Sequence, residues 1–458
     1  MSDVADGQND SRPKRGNYLS IDKLHAAKHY NKIALRKGLQ MKVLIFTVSS
    51  GNGHNSGARY IKEKLLKENP QTEIKVVDAF DEYTSKVRAW PFVQGYFLAC
   101  NHLTELYNYF FKKAENVKFE DRFKTGASKI ASEFVYGMLK TIDEFKPDII
   151  FSTYVYCTIA LNKIMFCYNL PCKVASLTLD YGISPFWEGC CDNLDYMFLT
   201  NSDMVDGFLK RGFFKDQLFV AGIPVSERFY RPLEKKVARK KLGLKQDTFT
   251  VTVMKASFFR LPVDKLVSEL YKIEGDCQVV VINGRDEISR KRIDKLLTAQ
   301  SALGGGCTGS INVTNIGYTT DVADYMSASD LVIGKAGGLS VTETVNAGLP
   351  SLIIKDLPQQ EIYNKEYLEK KGCALTIDEH TLASTINDLR KHPDKLDKMR
   401  ENALALRNER TLDIIYDVLS RVGQADYSEW SFTDGKTRAL RKISQAVRNS
   451  QRTSQEGL

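Results

Sequence analysis

Residues 334–350, GKAGGLSVTETVNAGLP, put two adjacent glycines, Gly337 and Gly338, between an apolar run (Asp330–Ile333) and a helical pattern opening near Ser340. Glycine lets a backbone approach an anion closely, and the free N–H groups and positive dipole end of a helix favour negative charge. The chemistry implied is a phosphate cradle. Glu343, in the first turn or just past it, is placed to accept a hydrogen bond from a sugar hydroxyl, and Gly348-Leu349-Pro350 ends the helix. No G-x-x-x-x-G-K-[ST] occurs in the chain, so a P-loop is excluded.

A second cluster stands near the start. Lys42–Val48 (KVLIFTV) is a β-branched apolar run, Ser49-Ser50-Gly51-Asn52-Gly53-His54 breaks it, and Ala58, Ile61 and Leu65 resume at helical spacing. His54 thus sits at the carboxyl end of a first strand, where open α/β sheets bind their ligands. Imidazole titrates near neutrality, so His54 could take a proton from an attacking hydroxyl.

GNGH at 51–54 and GKAGGLSVTETVNAGLP followed by PQQEIYN (358–364) together resemble glycosyltransferase family 28, in the group of processive diacylglycerol glucosyltransferases and monogalactosyldiacylglycerol synthases. PDIIFSTY (147–154), LTLDYGISPFW (177–187), FLTNSDMVDGFLKRG (198–212) and VAGIPVSERF (220–229) are similar in order and spacing, so the resemblance spans about Lys42 to Arg421. It implies a GT-B fold, two Rossmann-like doubly wound α/β domains facing across a cleft. It implies a UDP-sugar donor, UDP-glucose or UDP-galactose, with the diphosphate on the Gly337, Gly338 and Leu339 amides beside Ser340, and Lys335 as counter-charge. Carried over residue by residue, Glu343 becomes the ribose partner, Gln360 and Glu361 lie near the donor sugar or phosphates, and Asn364 supports them. His54 is the candidate base, and Asp180 in LTLDYG is a second titratable group on the acceptor side. The chain departs from the family at Ala336, often proline, and at Lys255-Ala256-Ser257, usually a glycine-rich turn. Lys255 could there supply charge that glycine amides otherwise supply.

Apolar runs alternate with helical patterns, as a parallel sheet covered on both faces requires. The first series is KVLIFTV, EIKVVDAF (73–80), DIIFSTY (148–154), KVASLTL (173–179), YMFLT (196–200) and LFVAG (218–222). The second is FTVTVM (249–254), QVVVING (278–284), INVTNIG (311–317), DLVIG (330–334), SLIIK (351–355) and ALTI (374–377). The expected organisation is a basic arm over 1–40, an acceptor and membrane-facing domain over 41–226, a donor domain over 243–421, and a C-terminal segment over 422–458. Gly304-Gly305-Gly306 has no helix start after it and reads as a flexible connection.

At 458 residues, 43% hydrophobic and 26% charged, the chain has the balance of a large globular enzyme, with neither a membrane-spanning run nor a signal peptide expected. Nine cysteines without a C-x-x-C pair point to free thiols in a reducing cytoplasm. Charge concentrates at the ends. Residues 1–42 hold nine Lys or Arg against four Asp, and residues 435–458 hold six against Glu456, so +5 lies at each end of a chain whose net charge is +9. Leu440, Ile443 and Val447 among those cations suggest an amphipathic basic helix on an anionic membrane. No recognition module for nucleic acid accompanies the charge. The Tyr83–Phe123 segment is crowded with aromatic and basic residues, among them Trp90, Phe92, Phe110, Phe111, Lys112 and Lys113, which suit a bilayer interface. In the resembling family this region helps form the lipid acceptor site.

The expected activity is inverting hexose transfer to the hydroxyl of diacylglycerol by a cytoplasmic protein held peripherally on the inner face of the cell membrane. No D-x-D occurs, so neither metal nor other cofactor is expected. Two alternatives stand beside it: an N-acetylglucosaminyltransferase acting on a lipid-linked cell-wall precursor, and a non-catalytic nucleotide-sugar sensor.

Overall fold

The computed structural model describes residues 41–49, 52–84, 103–115, 126–187, 190, 193–255, 262–302, 311–355, 357–428 and 430. The basic arm, the 435–458 tail, Trp90, Phe92, the Gly304–Gly306 run and Ala256-Ser257 lie outside them, as does the side chain of Phe110.

Every apolar run named above forms a strand. The first sheet contains β1 (Lys42–Thr47), β2 (Glu73–Asp78), β3 (Ile149–Ser152), β4 (Lys173–Leu177), β5 (Tyr196–Leu199) and β6 (Leu218–Val220), in the order β2-β1-β3-β4-β5-β6. All its pairings are parallel. Alternate residues of a strand point to opposite faces, and both faces here are apolar. Val43 and Ile45 pack on Ala58, Ile61 and Leu65 of helix α1 (Asn52–Glu68). A second helix, α2 (Thr104–Glu115), precedes two that cover the opposite face. There Leu44 and Phe46 meet Phe134 and Met138 of α3 (Gly126–Phe145) and Leu161 and Ile164 of α4 (Val155–Cys167). Each large side chain fully removed from water contributes roughly 1.5–3 kcal/mol.

The second sheet contains β7 (Phe249–Met254), β8 (Cys277–Ile282), β9 (Ile311–Ile316), β10 (Leu331–Gly334), β11 (Ser351–Ile354) and β12 (Ala374–Ile377), in the order β12-β11-β10-β7-β8-β9. It too is parallel and buried on both faces. Val251, Val253, Val279 and Ile333 join one core, while Val280, Ile282 and Val332 join smaller clusters on the other side. Its helices include α5 (Glu287–Ala302), α6 (Gly338–Asn346) and α7 (Gln359–Lys370).

The chain then returns to the first sheet. Helix α8 (Thr411–Leu419) buries Ile415, Val418 and Leu419 in the same cluster as Val43 and Ile45, and Lys64 of α1 pairs with Asp413 at 2.6 Å. Among the described residues no helix is long and apolar enough to cross a membrane.

Candidate functional site

In each sheet strand order reverses beside its first strand, between β1 and β3 and between β10 and β7. Loops leaving the carboxyl ends on either side of such a point diverge and open a crevice for ligands. His54 stands at the first of these points, in the opening turn of α1. Its Nδ1 lies 2.7 Å from the carbonyl of Thr153, the residue after β3. A carbonyl only accepts, so Nδ1 carries the proton and Nε2 keeps its lone pair. Burial pushes the imidazole down to about 4, against the Thr153 contact that acts the other way, so the ring is neutral at pH 7. The Tyr154 ring, 4.7 Å away and nearly perpendicular, fixes its plane.

Asp180 follows β4 on the same end of the sheet. Burial, the largest effect, pushes its carboxyl up to about 6, with the Asn364 hydrogen bond opposing. His54 and Asp180 line one cavity of about 120 Å³ with Tyr154, Tyr156, Phe186 and Trp187. Helix α2 covers it through Tyr107 and Phe111, and Gln360 of α7 enters from the second half.

The two halves meet at the cradle. Asn364 Nδ2 donates to Asp180 Oδ1 and to the Ala336 carbonyl, each at 2.8 Å, while Asn364 Oδ1 accepts from the Tyr181 amide at 2.6 Å. One amide thereby ties the loop after β4 to the loop after β10. Gly338 opens α6, with Gly337 as its cap, and neither glycine has a positive φ. What Gly338 provides is closeness: a Cβ there would lie 1.8 Å from the carbonyl oxygen of Leu179. Gly182 is constrained in the same way, because its Cβ would lie 2.4 Å from Tyr363 Cβ.

Lys335 and Glu361 form an ion pair at 2.5 Å, largely shielded from solvent. Glu361 Oε2 is buried with no hydrogen-bond partner among the described residues, an acceptor left for a ligand hydroxyl. Glu343 lies in the second turn of α6, and burial pushes its carboxyl up to about 8, with the Arg59 charge opposing. Leu339 and Ser340 complete the first turn. Lys335, Glu361 and Asn364 therefore gather at the start of α6, whereas Gln360 lines the cavity that holds His54 and Asp180.

The membrane candidates divide. Phe111 is buried, with its ring 5.6 Å from Phe186 and 6.3 Å from Tyr363, while Lys112 and Lys113 are exposed. Leu103, Leu106 and Tyr109 are also exposed, at 47%, 49% and 61%. Thr153, Tyr154 and Tyr107 were not singled out as site residues from the sequence. Thr153 and Tyr154 had a signal, their position at the end of a central strand's apolar run; Tyr107 had none that separated it from the aromatics around it. Among the described residues no group of three or more His, Cys, Asp or Glu is arranged to hold a metal.

Comparisons with known proteins match both halves. Residues 254–417 match the glycosyltransferase family 28 C-terminal domain, and residues 54–225 match monogalactosyldiacylglycerol (MGDG) synthase. A processive diacylglycerol beta-glucosyltransferase of Staphylococcus saprophyticus is 26% identical over 400 residues, 85% of this chain and 95% of that protein. A probable chloroplastic monogalactosyldiacylglycerol synthase of Nicotiana tabacum is 26% identical over 404 residues, covering 84% and 72% respectively. The crystal structure of Acinetobacter baumannii MurG superposes with a TM-score of 0.53 at 13% identity, over 84% of this chain and 100% of that one. The fold is GT-B.

Proposed function

We propose that this chain is a member of the glycosyltransferase family 28 group and transfers a hexose from UDP-glucose or UDP-galactose to the hydroxyl of diacylglycerol at a membrane surface. The observation that carries this reading is the shared cavity: a neutral imidazole and a carboxyl from the first half face Gln360 from the second, under aromatic walls that suit an acyl-bearing alcohol. The names of the relatives agree with a diacylglycerol acceptor.

In the proposed step the acceptor oxygen attacks the anomeric carbon and its proton passes to His54 Nε2. The bond from that carbon to the diphosphate oxygen breaks on the opposite face, inverting the centre. Charge developing on the departing UDP meets the α6 amides, the helix dipole and Lys335, all fixed before the reaction begins. Glu343 takes the ribose, Gln360 and the free Glu361 oxygen take sugar hydroxyls, and Asn364 holds Asp180 against the cradle. Since protein groups supply the positive charge, transfer is proposed to be metal-independent. The exposed Leu103, Leu106 and Tyr109 beside Lys112 and Lys113 would rest on an anionic leaflet, which is how a chain of this kind would act peripherally at the inner face of the membrane.

Mass spectrometry of lipids formed from diacylglycerol vesicles with each UDP-sugar, with and without chelator, tests the reading. Hexosyl-diacylglycerol that persists in chelator is expected. Transfer only of N-acetylglucosamine to a lipid-linked precursor, or UDP binding without transfer to any lipid, would overturn it.

A further inference from the structure

Two lysines flank the switch point of the second sheet. Strands β7 and β10 pair in register through Val253 and Ile333, so Lys255 and Lys335 leave adjacent strands at the same level, one residue beyond Met254 and Gly334. A Cβ on Gly334 would lie 3.6 Å from Met254 Cβ, and Met254, Lys335 and Ser340 line one cavity of about 20 Å³. Both ammonium groups are shielded and each leans on a carboxylate. Lys335 pairs with Glu361, and Lys255, only 5% exposed, reaches Asp286 Oδ2 at 2.9 Å.

The Lys255 pair is unequal. Asp286 is held independently, since its Oδ1 accepts the Ser289 amide at 3.0 Å just ahead of α5, and 41% of its side chain remains exposed to water. A buried ammonium, in contrast, needs an anion wherever it goes. Its flexible four-carbon stem can swing across the crevice without moving the strand.

Resting on the UDP-sugar reading of this cleft, we infer that Lys255 is a second cation of the diphosphate subsite, exchanging Asp286 for a phosphate oxygen when the donor enters. Leaving-group charge is then shared by Lys255, Lys335 and the start of α6, with one lysine on each side of the switch point.

Calorimetric titration of the full-length chain with UDP and with uridine tests the exchange. Lys255→Met is expected to weaken UDP binding roughly ten- to hundredfold, as for loss of one charged hydrogen bond, and to leave uridine unchanged. Lys255→Arg should restore most of the UDP affinity. Asp286→Asn, at a half-exposed position, should leave UDP affinity equal or tighter because the competing carboxylate is gone. Undiminished UDP binding by Lys255→Met, or equal losses for UDP and uridine, would overturn the inference. So would a loss of UDP affinity in Asp286→Asn, which would make the pair a structural unit. These titrations contain no lipid, so failure of the diacylglycerol assignment would leave them standing.

Discussion

At the scale of single residues, the site sets two titratable groups apart by environment. His54 and Asp180 share one cavity, yet burial drives the imidazole down to about 4 and the carboxyl up to about 6. A base works only while unprotonated, and kcat/KM reports the free enzyme. If His54 is the base, its neutral fraction stays complete as pH falls from 7 to 5 and is lost only as pH drops through about 4. The acid limb of kcat/KM should therefore lie well below the usual histidine range. His54→Ala should lower turnover by roughly two to four orders of magnitude, with UDP still bound. An acid limb near 6 that vanishes in Asp180→Asn, with His54→Ala nearly fully active, would give the proton to the carboxylate instead.

At the scale of elements, the sheets were legible because a buried parallel strand announces itself as a short β-branched run, and most runs were separated from the next by a helical pattern. The start of α6 was legible from Gly337-Gly338, but the reason for Gly338 was not. It answers to the Leu179 carbonyl, which lies 159 positions earlier in the chain, and pairings that distant leave no local period. Helix α8 shows the same limit. Its apolar stripe reads as helix, yet nothing local says that the stripe returns to the first sheet. Helix α2 joins both halves: the Tyr107 hydroxyl donates to Gln360 Oε1 at 3.0 Å and Asn108 Nδ2 to the Leu357 carbonyl at 3.2 Å. Such contacts require the halves to close, and Gly182 permits it. A methyl at Gly182 would collide with Tyr363 at its Cβ, the end of the side chain least able to move. Gly182→Ala is expected to cut kcat at least tenfold while UDP affinity, a property of the second half, stays the same. Unchanged kcat would mean that transfer does not need this apposition.

At the scale of the whole molecule, there are two membrane candidates, helix α2 and the 435–458 tail, of which only the first lies among the described residues. Helix α2 covers the cavity at the carboxyl ends of the strands. The last described residues pack at the amino end: the Ala425 amide donates to Asp148 Oδ1 at 2.8 Å and the Tyr427 hydroxyl to the Pro147 carbonyl at 2.7 Å, just ahead of β3. The two elements should then contribute differently. The six basic residues of the tail act through charge, each worth about 1 kcal/mol near an anionic surface and screened beyond about 8 Å at physiological salt. The exposed face of α2 acts largely through burial of apolar surface, which salt does not screen. Deleting 435–458 should reduce flotation on anionic vesicles at low salt and matter little at high salt, whereas Leu106→Ser with Tyr109→Ser should reduce flotation at both. UDP binding should survive each change. Equal flotation of the full-length and truncated chains on neutral and anionic vesicles would remove the electrostatic tether. If the α2 variant floated normally yet lost transfer, the helix would serve the acceptor cavity alone, and the membrane contact would have to lie elsewhere.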